Sequence, residues 1–445
     1  MQTVAFHTLG CKLNFSETST LARQFRAAGW KRAEFPEPAD VYVVNTCSVT
    51  ENADKECRSI INKAMAANPN GKVIIVGCYA QLKPEEIAAI PGVDLVLGAT
   101  EKFNVLNYLA GLEKLGTGVV MACEVSDATS FVSAWSSGDR TRAFLKVQDG
   151  CDYNCSFCTI PLARGRSRSN TIQNVVKQAT ELVANGVNEI VLTGVNLGDF
   201  GIGEDAGKHL ETFTELAFAL EEVKGLNRIR ISSIEPNLLT EEVIRLTATS
   251  NKFMPHFHIP LQSGSNEILG KMRRRYKREL YSEKVSLIKT LIPDAAIGVD
   301  VIVGFPGETN LHFNETLDFL HDLPVSYFHV FTYSERTDTL AATMNGAVPM
   351  NVRKERNRRL RSLSAKKMHD FTASFLGQTL PVLFEEENAG GIMQGYTSNY
   401  IRVEHPYRAD YVNRIINCEL LEIGNGGLIS VVPAKQDTLS LAPVL

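Results

Sequence analysis

A short run of β-branched residues followed by a helical pattern recurs along most of this chain, and this repeat constrains the fold more than any other feature. Near the start, three such runs begin at Val4, Val41 and Val73, with helical patterns between them. A run of this kind is typical of a buried parallel strand. We therefore predict that residues 1–125 form a doubly wound α/β domain, in which ligands bind at the carboxyl edge of the sheet.

Strand and helix signals also alternate in the middle of the chain, from Ala143 onward. Six βα units predict a partial (β/α)6 barrel over residues 143–350, an incomplete relative of the eight-stranded barrel. The polar stretch 126–142 before it is interpreted as a linker. The five later strand signals of this region are Glu189–Thr193, Arg228–Ser232, His256–Pro260, Ile297–Val303 and Tyr327–Phe331.

The last part of the chain has a different pattern. Residues 351–376 are rich in Lys and Arg and have a helical period, which we interpret as an exposed, basic helical connector between domains. From Gly377 the pattern changes to short alternating strands separated by turns. This pattern predicts a small β-barrel over residues 377–440.

The overall composition is that of an ordinary globular protein. The chain has 445 residues, 46 basic and 50 acidic side chains and a net charge of −4. No run of 18 apolar residues is present, so a membrane span is not expected, and no targeting segment is recognised at the start. Nine cysteines without a secretory signal indicate a reducing compartment and metal-binding thiolates. We expect a cytoplasmic protein.

Three cysteines lie on one short segment after the first strand of the predicted barrel. Cys151, Cys155 and Cys158 have the spacing C-x₃-C-x₂-C. Three ligands leave one iron of a four-iron cluster open, whereas a structural cluster normally takes four cysteines. An open metal position is a place for a cofactor or substrate to bind. A zinc knuckle or redox pair is the alternative, but zinc sites favour paired CxxC units.

A second group of cysteines follows the three strands of the first domain. Cys11, Cys47 and Cys78 each come directly after a strand signal, so the doubly wound sheet should bring them to one edge. Again three ligands are present, which predicts a second 4Fe–4S cluster with an open iron. The remaining cysteines lack this context and are interpreted as small buried apolar residues; they are Cys57, Cys123 and Cys418.

These motifs together resemble one known family over essentially the whole chain. The carrying segments are Leu9–Asn14, Asn45–Thr50, Gly77–Gln81, Asp149–Pro161 and Arg164–Arg168. They are similar to those of the methylthiotransferases, a family of radical S-adenosylmethionine (SAM) enzymes with two clusters. Among the branches, the Gly-Cys-Lys and Asn-Thr-Cys-Ser-Val-Thr segments, together with Gln148-Asp-Gly-Cys, are most similar to the bacterial enzymes that act on threonylcarbamoyladenosine in tRNA.

The resemblance implies a reaction and its cofactors. SAM would chelate the open iron held by Cys151, Cys155 and Cys158, and its cleavage would give a 5′-deoxyadenosyl radical. The cluster held by Cys11, Cys47 and Cys78 would carry sulfur, and a second SAM would donate the methyl group. The product would carry a methylthio group on carbon 2 of threonylcarbamoyladenosine, 3′-adjacent to the anticodon. The implied partners are tRNA, a sulfur donor and an electron donor such as flavodoxin or ferredoxin.

Other functions remain open at this point. The family also contains enzymes that act on isopentenyladenosine in tRNA and on a ribosomal protein side chain. A non-catalytic iron–sulfur protein that binds RNA is a remote further alternative, because two three-cysteine sites are poor closed sites. In the family, the position of the terminal barrel holds a TRAM domain, which binds RNA.

Candidate SAM contacts are the polar residues and glycines at successive strand ends of the barrel, since carboxyl ends of barrel strands face the site. Phe157 is added because the radical SAM pattern places an aromatic residue there, near the adenine. The candidates are Phe157, Thr193, Gly194, Asn196, Ser233, Glu235, Gln262 and Asp300.

Candidate RNA contacts come from local clusters of positive charge, because the net charge does not indicate a nucleic-acid partner. Such clusters bind phosphates through counterion release; a solvated surface, or salt bridges for the first three, is the alternative. The candidates are Arg164, Arg166, Arg168, Arg274, Arg275, Arg353, Arg356, Arg358 and Arg359.

Overall fold

The computed structural model describes residues 1–47, 51–114, 117–122, 124–136, 138, 141–202 and 209–434. Cys123 and residues 435–440 of the predicted terminal barrel lie outside these ranges. The chain forms an N-terminal α/β sheet, a central open barrel and a C-terminal closed β-barrel, which confirms the predicted fold class. In the described residues, no helix is long and apolar enough to cross a bilayer.

The N-terminal sheet is fully parallel and has the strand order β2-β1-β3-β4-β5-β6. This reversal of order beside β1 is the topological switch point of a doubly wound sheet. The strands are β1 Thr3–Thr8, β2 Lys31–Ala33, β3 Val41–Thr46, β4 Lys72–Gly77, β5 Val93–Leu97 and β6 Val119–Met121. The helices are α1 Lys12–Ala27, α2 Glu51–Ala67, α3 Cys78–Leu82, α4 Pro84–Ala88 and α5 Val105–Leu109.

The central region contains six parallel strands that run in chain order around an open barrel, as predicted. Its strands are β8 Arg142–Lys146, β11 Glu189–Thr193, β12 Arg228–Ile231, β13 His256–His258, β14 Ala296–Val303 and β15 Tyr327–Thr332. Three short strands flank them: β7 Ala134–Trp135, which pairs with β8 from within the predicted linker, β9 Gln148–Asp149 and β10 Arg168–Ser169. The helices are α6 Ile160–Arg164, α7 Ile172–Ala184, α8 Phe213–Glu221, α9 Glu241–Thr249, α10 Asn266–Lys271, α11 Arg278–Leu291, α12 Asn310–Asp322 and α13 Met350–Ala373.

The two faces of the barrel strands differ in polarity. The apolar residues of each strand, such as Leu145, Ile190 and Ile229, pack outward against the helices in one large core. Because side chains alternate along a strand, the intervening residues face inward, and many of these are charged or polar. An eight-stranded barrel is normally filled by branched apolar side chains, so the polar inner face marks this lumen as a binding space.

The C-terminal strands close into a small barrel with the order β16-β17-β18-β20-β19. They are β16 Thr379–Ala389, β17 Ile392–Thr397, β18 Arg402–Pro406, β19 Ile415–Ile423 and β20 Ile429–Pro433. This barrel docks on the amino ends of the central strands. Arg228 donates to Tyr396 O near the end of β17, and Arg230 donates to Ser398 O in the turn after that strand.

Candidate active site

The loop after β8 holds the three cysteines of the C-x₃-C-x₂-C segment together. The backbone N–H of Tyr153 donates to Cys151 Sγ (3.4 Å), and that of Ile160 donates to Cys158 Sγ (3.4 Å). The three thiols are free of disulfides. Burial raises the pKa of each thiol, that of Cys158 to about 12. A metal that binds here therefore displaces protons from the sulfur atoms.

The second cysteine group converges at the carboxyl edge of the N-terminal sheet. Thr46 at the end of β3 pairs with Gly77 at the end of β4, which places Cys47 beside Cys78. Gly10 lies against Cys47, where an added Cβ would meet Cys47 Cβ at 2.6 Å, so Cys11 is next to them. Asn14 holds this edge together because its Nδ2 donates to Leu9 O (2.9 Å) and Thr46 O (3.0 Å).

Neither cysteine group is compact enough for one small ion. Among the described residues, only His258, Asp300 and His329 form a trio whose ligand atoms all lie within 4.8 Å of one another. The sulfur atoms of each cysteine group are therefore spread more widely than this limit. A single zinc ion requires sulfur ligands at about 2.3 Å from one centre, which brings the sulfur atoms closer together than in either cysteine group. The larger body of a four-iron cluster fits three spread thiolates better, so the residues present fit the clusters that the resemblance implies.

The two cysteine groups face each other across the boundary between the domains. Helix α3, which begins at Cys78, packs against α6, which follows Cys158. Arg164 at the end of α6 reaches into the N-terminal domain, where its Nη2 donates to Asn14 Oδ1 (2.6 Å) and its Nη1 to Glu17 Oε1 (3.0 Å). The N-terminal domain therefore sits over the mouth of the barrel.

A buried network of charges fixes this arrangement. Glu17 also pairs with Lys102 (2.7 Å) and Lys146 (3.3 Å), and Asp149 pairs with Lys146 (2.7 Å) and Arg164 (3.0 Å). Burial alone would raise the pKa of Glu17, but Arg164, Lys102 and Lys146 outweigh it and hold the pKa well below its usual range. The pKa of Asp149 is lowered in the same way by Lys146 and Arg164. Both carboxylates stay ionised inside the interface.

A cavity of about 340 Å³ opens beside Cys158 at the mouth of the barrel. It is lined by three of the predicted SAM contacts, Phe157, Gln262 and Asp300, together with Phe331 and Tyr333. Aromatic walls around a few polar groups are typical of a cofactor pocket. This cavity is the candidate adenosine site.

The other predicted SAM contacts lie elsewhere around the mouth. The hydroxyl of Thr193 and Oδ1 of Asn196 are buried and have no hydrogen-bond partner in the described residues. Buried polar atoms are nearly always paired, so these two atoms fit contacts to an absent polar ligand. Gly194 packs against Gln148, where an added Cβ would meet the amide oxygen at 3.0 Å. Ser233 hydrogen-bonds to His258 Nδ1 (2.9 Å).

Glu235 is engaged with another protein side chain. It forms an ion pair with Arg274, whose Nη1 donates to Cys155 Sγ (3.1 Å). Sequence reasoning assigned Arg274 to RNA and missed this contact to a cysteine. It also missed Gln148, whose Oε1 accepts from the backbone N–H groups of Val195 and Asn196 at 2.9 Å. The dipeptide Gln148-Asp149 before the cysteine loop was the only available signal.

Five of the predicted RNA contacts have buried side chains, which for Arg164 and Arg168 is the salt-bridge alternative and for the other three contradicts the expectation of exposed, phosphate-facing cations. A guanidinium offers five donors in a planar fork and is readily used in buried ion pairs, and each of these side chains is buried with protein partners. They are Arg164, Arg168, Arg274, Arg353 and Arg356. The four that are exposed are Arg166, Arg275, Arg358 and Arg359.

The basic helix α13 is not an exposed connector, which corrects the expectation from its charge. One face packs along β15, where the Ser364 hydroxyl accepts from the backbone N–H of Phe328 (2.8 Å). The buried positions Arg353, Arg356, Leu360 and Ser364 recur with helical spacing. The helical period of these positions is present in the sequence, but two of them are arginines, so the sequence does not mark this side of the helix as buried.

The side of α13 next to β15 borders a groove of about 780 Å³ at the open edge of the barrel. Lys354, Asn357 and Arg361 line it from the helix, and Phe331 lines it from the strand. Phe331 is 45% exposed. Exposed cations next to an exposed aromatic ring are typical of surfaces that bind single-stranded nucleic acid.

Comparisons with known proteins agree with the division of the chain. Residues 3–98 match the family described as uncharacterized protein family UPF0004, and residues 145–320 match the radical SAM superfamily. Among solved structures, the chain is similar to a radical S-adenosylmethionine methyltransferase, TsrM, from Kitasatospora setae, which was solved with cobalamin and a [4Fe-4S] cluster bound. The TM-score is 0.55 at 15% identity, covering 88% of this chain and 81% of that one, and the likeness concerns the fold alone.

Curated relatives match the chain over nearly its full length. The chain is 42% identical to the threonylcarbamoyladenosine tRNA methylthiotransferase MtaB of Bacillus subtilis (strain 168), over 95% of each chain. It is 34% identical to the tRNA-2-methylthio-N(6)-dimethylallyladenosine synthase of Clostridium botulinum (strain Okra / Type B1), again over 95% of each.

Proposed function

The chain belongs to the radical SAM methylthiotransferase family, and from this premise we propose that it adds a methylthio group to carbon 2 of threonylcarbamoyladenosine in tRNA. The observation that carries the proposal is the placement of two three-cysteine groups face to face, joined by α3 and α6. The higher identity to the relative that acts on threonylcarbamoyladenosine, 42% against 34%, favours this nucleoside over dimethylallyladenosine.

We assign the cofactors of the family, two 4Fe–4S clusters and SAM, to the two cysteine groups. Cys151, Cys155 and Cys158 would hold the cluster that binds SAM, and Cys11, Cys47 and Cys78 would hold the cluster that carries sulfur. When bound, the first cluster and SAM supply a radical, which can activate a carbon that has no acidic hydrogen. The protein supplies orientation and excludes water.

The side chains around the cysteines have separate tasks in this proposal. Arg274 places a positive charge at Cys155 Sγ, and Glu235 holds Arg274 in that position. Gln148 fixes the backbone of Val195 and Asn196, so that the unpaired oxygen of Asn196 stays directed at the cofactor. The network of Glu17 and Arg164 keeps the N-terminal cysteines over the barrel mouth.

We place the enzyme in the cytoplasm, since six metal-binding thiols require a reducing compartment. The reaction consumes electrons and sulfur, so we infer an electron donor such as flavodoxin or ferredoxin, and a sulfur donor. For tRNA, the exposed Arg166, Arg275, Arg358 and Arg359 remain proposed contacts, and the groove along β15 adds Lys354 and Arg361.

The function is tested by replacing Cys11, Cys47 and Cys78 with alanine. This variant should still cleave SAM reductively, because radical formation needs only the other cysteine group, but it should form no 2-methylthio product on tRNA. Mass analysis of tRNA nucleosides measures the product, and release of 5′-deoxyadenosine measures cleavage. Formation of 2-methylthio-dimethylallyladenosine by the wild-type protein, in place of the threonylcarbamoyl product, would move the assignment to the second branch.

The RNA surface on α13 is tested by a matched pair of variants. Replacing Lys354, Arg358 and Arg361 with Gln should weaken tRNA binding and lower the slope of log affinity against log salt by about 0.7 to 0.9 per lost phosphate contact. The control replaces Lys177, Lys224 and Arg245, which are also exposed. The two variants are matched in local ion pairing, because Arg245 and Arg358 each pair with a Glu one turn away on the same helix. Equal salt slopes in the two variants would remove α13 from the tRNA surface.

A further inference from the structure

The lumen of the barrel is open to solvent on its inner face. On β15, His329 and Phe331 point inward and are exposed, whereas Phe328 points outward and is buried. On the neighbouring strands, His258 and Asp300 also point inward and keep 17% and 21% of their side-chain area exposed. A filled barrel would bury these side chains, so the lumen is a hollow space that can accept part of a substrate.

Lys12 extends into this lumen from the N-terminal domain. It follows Cys11 directly and begins α1, which packs along β8 through Phe15 and Phe144 (ring centroids 5.6 Å apart). Its side chain is exposed by area. The groups that act electrostatically on its ammonium group lie at the amino ends of the barrel strands, where the C-terminal barrel docks: Tyr400, Arg142, Arg230 and Glu189.

Lys12 is the lumen cation that lacks an anionic partner among the described residues. Arg230 pairs with Glu189 (2.9 Å), and Arg142 pairs with Glu385 (3.0 Å). Asp300, the other carboxylate of the inner face, is bonded to His258 (3.0 Å). No hydrogen bond or ion pair within the described residues ends on the Lys12 ammonium group, so it is available to a ligand.

The pKa of Tyr400 indicates the sign of the electrostatic potential around Lys12. Burial would raise the pKa of its hydroxyl, but the positive charges of Lys12, Arg142 and Arg230 outweigh burial and lower it. A buried acid with a lowered pKa lies in a positive potential. The protein around the buried His256 and the partly enclosed His329 disfavours their charged forms and lowers the pKa of each, so neither adds a positive charge at neutral pH. The lower lumen favours an anion.

We propose that Lys12 binds the carboxylate of the threonylcarbamoyl group, with the substituted base inserted into the lumen. This inference rests on the proposed function. Carbon 2 and the amino-bearing carbon of adenine are separated by one ring nitrogen only. A base whose carbon 2 lies at the Cys11 cysteine group therefore presents its 6-substituent close by, within reach of the long side chain that follows Cys11. A salt bridge inside a space walled by protein is stronger than one in bulk water.

The inference is tested by affinity, with full-length protein loaded with its clusters. The probes are three anticodon stem-loop RNAs, which carry threonylcarbamoyladenosine, its methyl ester or unmodified adenosine at the same position. The wild-type protein should bind the carboxylate form about tenfold to a hundredfold more tightly than the ester. Lys12→Gln should lose this preference and leave the affinity for the ester unchanged, and Lys12→Arg should retain it.

Lys354→Gln is the control, because a phosphate contact on α13 should weaken binding of all three RNAs equally. Equal affinity of the wild-type protein for the carboxylate and ester forms would overturn the inference without any variant. A Lys12→Gln protein that keeps the preference, or that loses affinity for all three RNAs alike, would also overturn it. Formation of the 2-methylthio product by the wild-type protein is measured in parallel, since failure there would instead reject the proposed function.

Discussion

Replacing Cys151, Cys155 and Cys158 together with alanine is expected to abolish the reductive cleavage of SAM and to lower the iron content from about eight to about four atoms per chain. All three thiols lie on one loop. Without these ligands, no open iron remains to bind the amino and carboxylate groups of SAM. Iron analysis and release of 5′-deoxyadenosine measure the two effects.

Two other cysteines provide the control for this experiment. Cys57 and Cys418 are fully buried, and Cys57 packs in the core of the N-terminal domain. Cys57→Ala and Cys418→Ala should keep about eight irons and normal cleavage of SAM, since a buried cysteine of this kind acts as a small apolar residue. Retention of cleavage in the triple variant, or loss of four irons in either control, would refute the ligand assignment.

Arg164→Gln is expected to lower the free energy of unfolding by about 3 to 5 kcal/mol, because it leaves Glu17 and Asp149 with less positive charge in a buried interface. The N-terminal domain should also shift from the barrel mouth, so formation of the 2-methylthio product should fall further than SAM cleavage. Denaturant unfolding measures the stability. Assays of the 2-methylthio product and of 5′-deoxyadenosine show whether product formation falls further than SAM cleavage. Arg166→Gln is the matched control, because Arg166 is exposed two residues along the chain.

The loss of stability caused by Arg164→Gln should depend on pH. The folded protein lowers the pKa of both carboxyl groups, so their pairing stabilises the fold above the pKa of about 4 that they have in the unfolded chain. This contribution disappears as the pH falls through the folded-state values. The stability difference between Arg164→Gln and the wild type should therefore be full at neutral pH and decrease below about pH 4. A difference that is constant from neutral to acid pH would show that ion pairing is not its cause.

The sequence was sufficient for the fold class and the cysteine groups, since both follow from local patterns. Each strand signal before Cys11, Cys47 and Cys78 reports burial on both faces of a parallel sheet. Parallel strands end at one edge, so the convergence of the three cysteines follows from the order of strands and helices alone. The spacing of Cys151, Cys155 and Cys158 places them on one loop in almost any fold. The closed terminal barrel was likewise visible in its short alternating strands.

The roles of the charged residues depended on the tertiary structure. Arg164 and Arg356 look like surface cations in the sequence, because a guanidinium carries the same charge whether its partner is a phosphate or a distant carboxylate. Asp149 is 15 residues from Arg164 in the chain, but Glu17 is 147 residues away and reaches it only through the docking of α1 on β8. The same docking directs Lys12 into the lumen. Charge pairing across domains is decided by distance in space, which local sequence patterns do not encode.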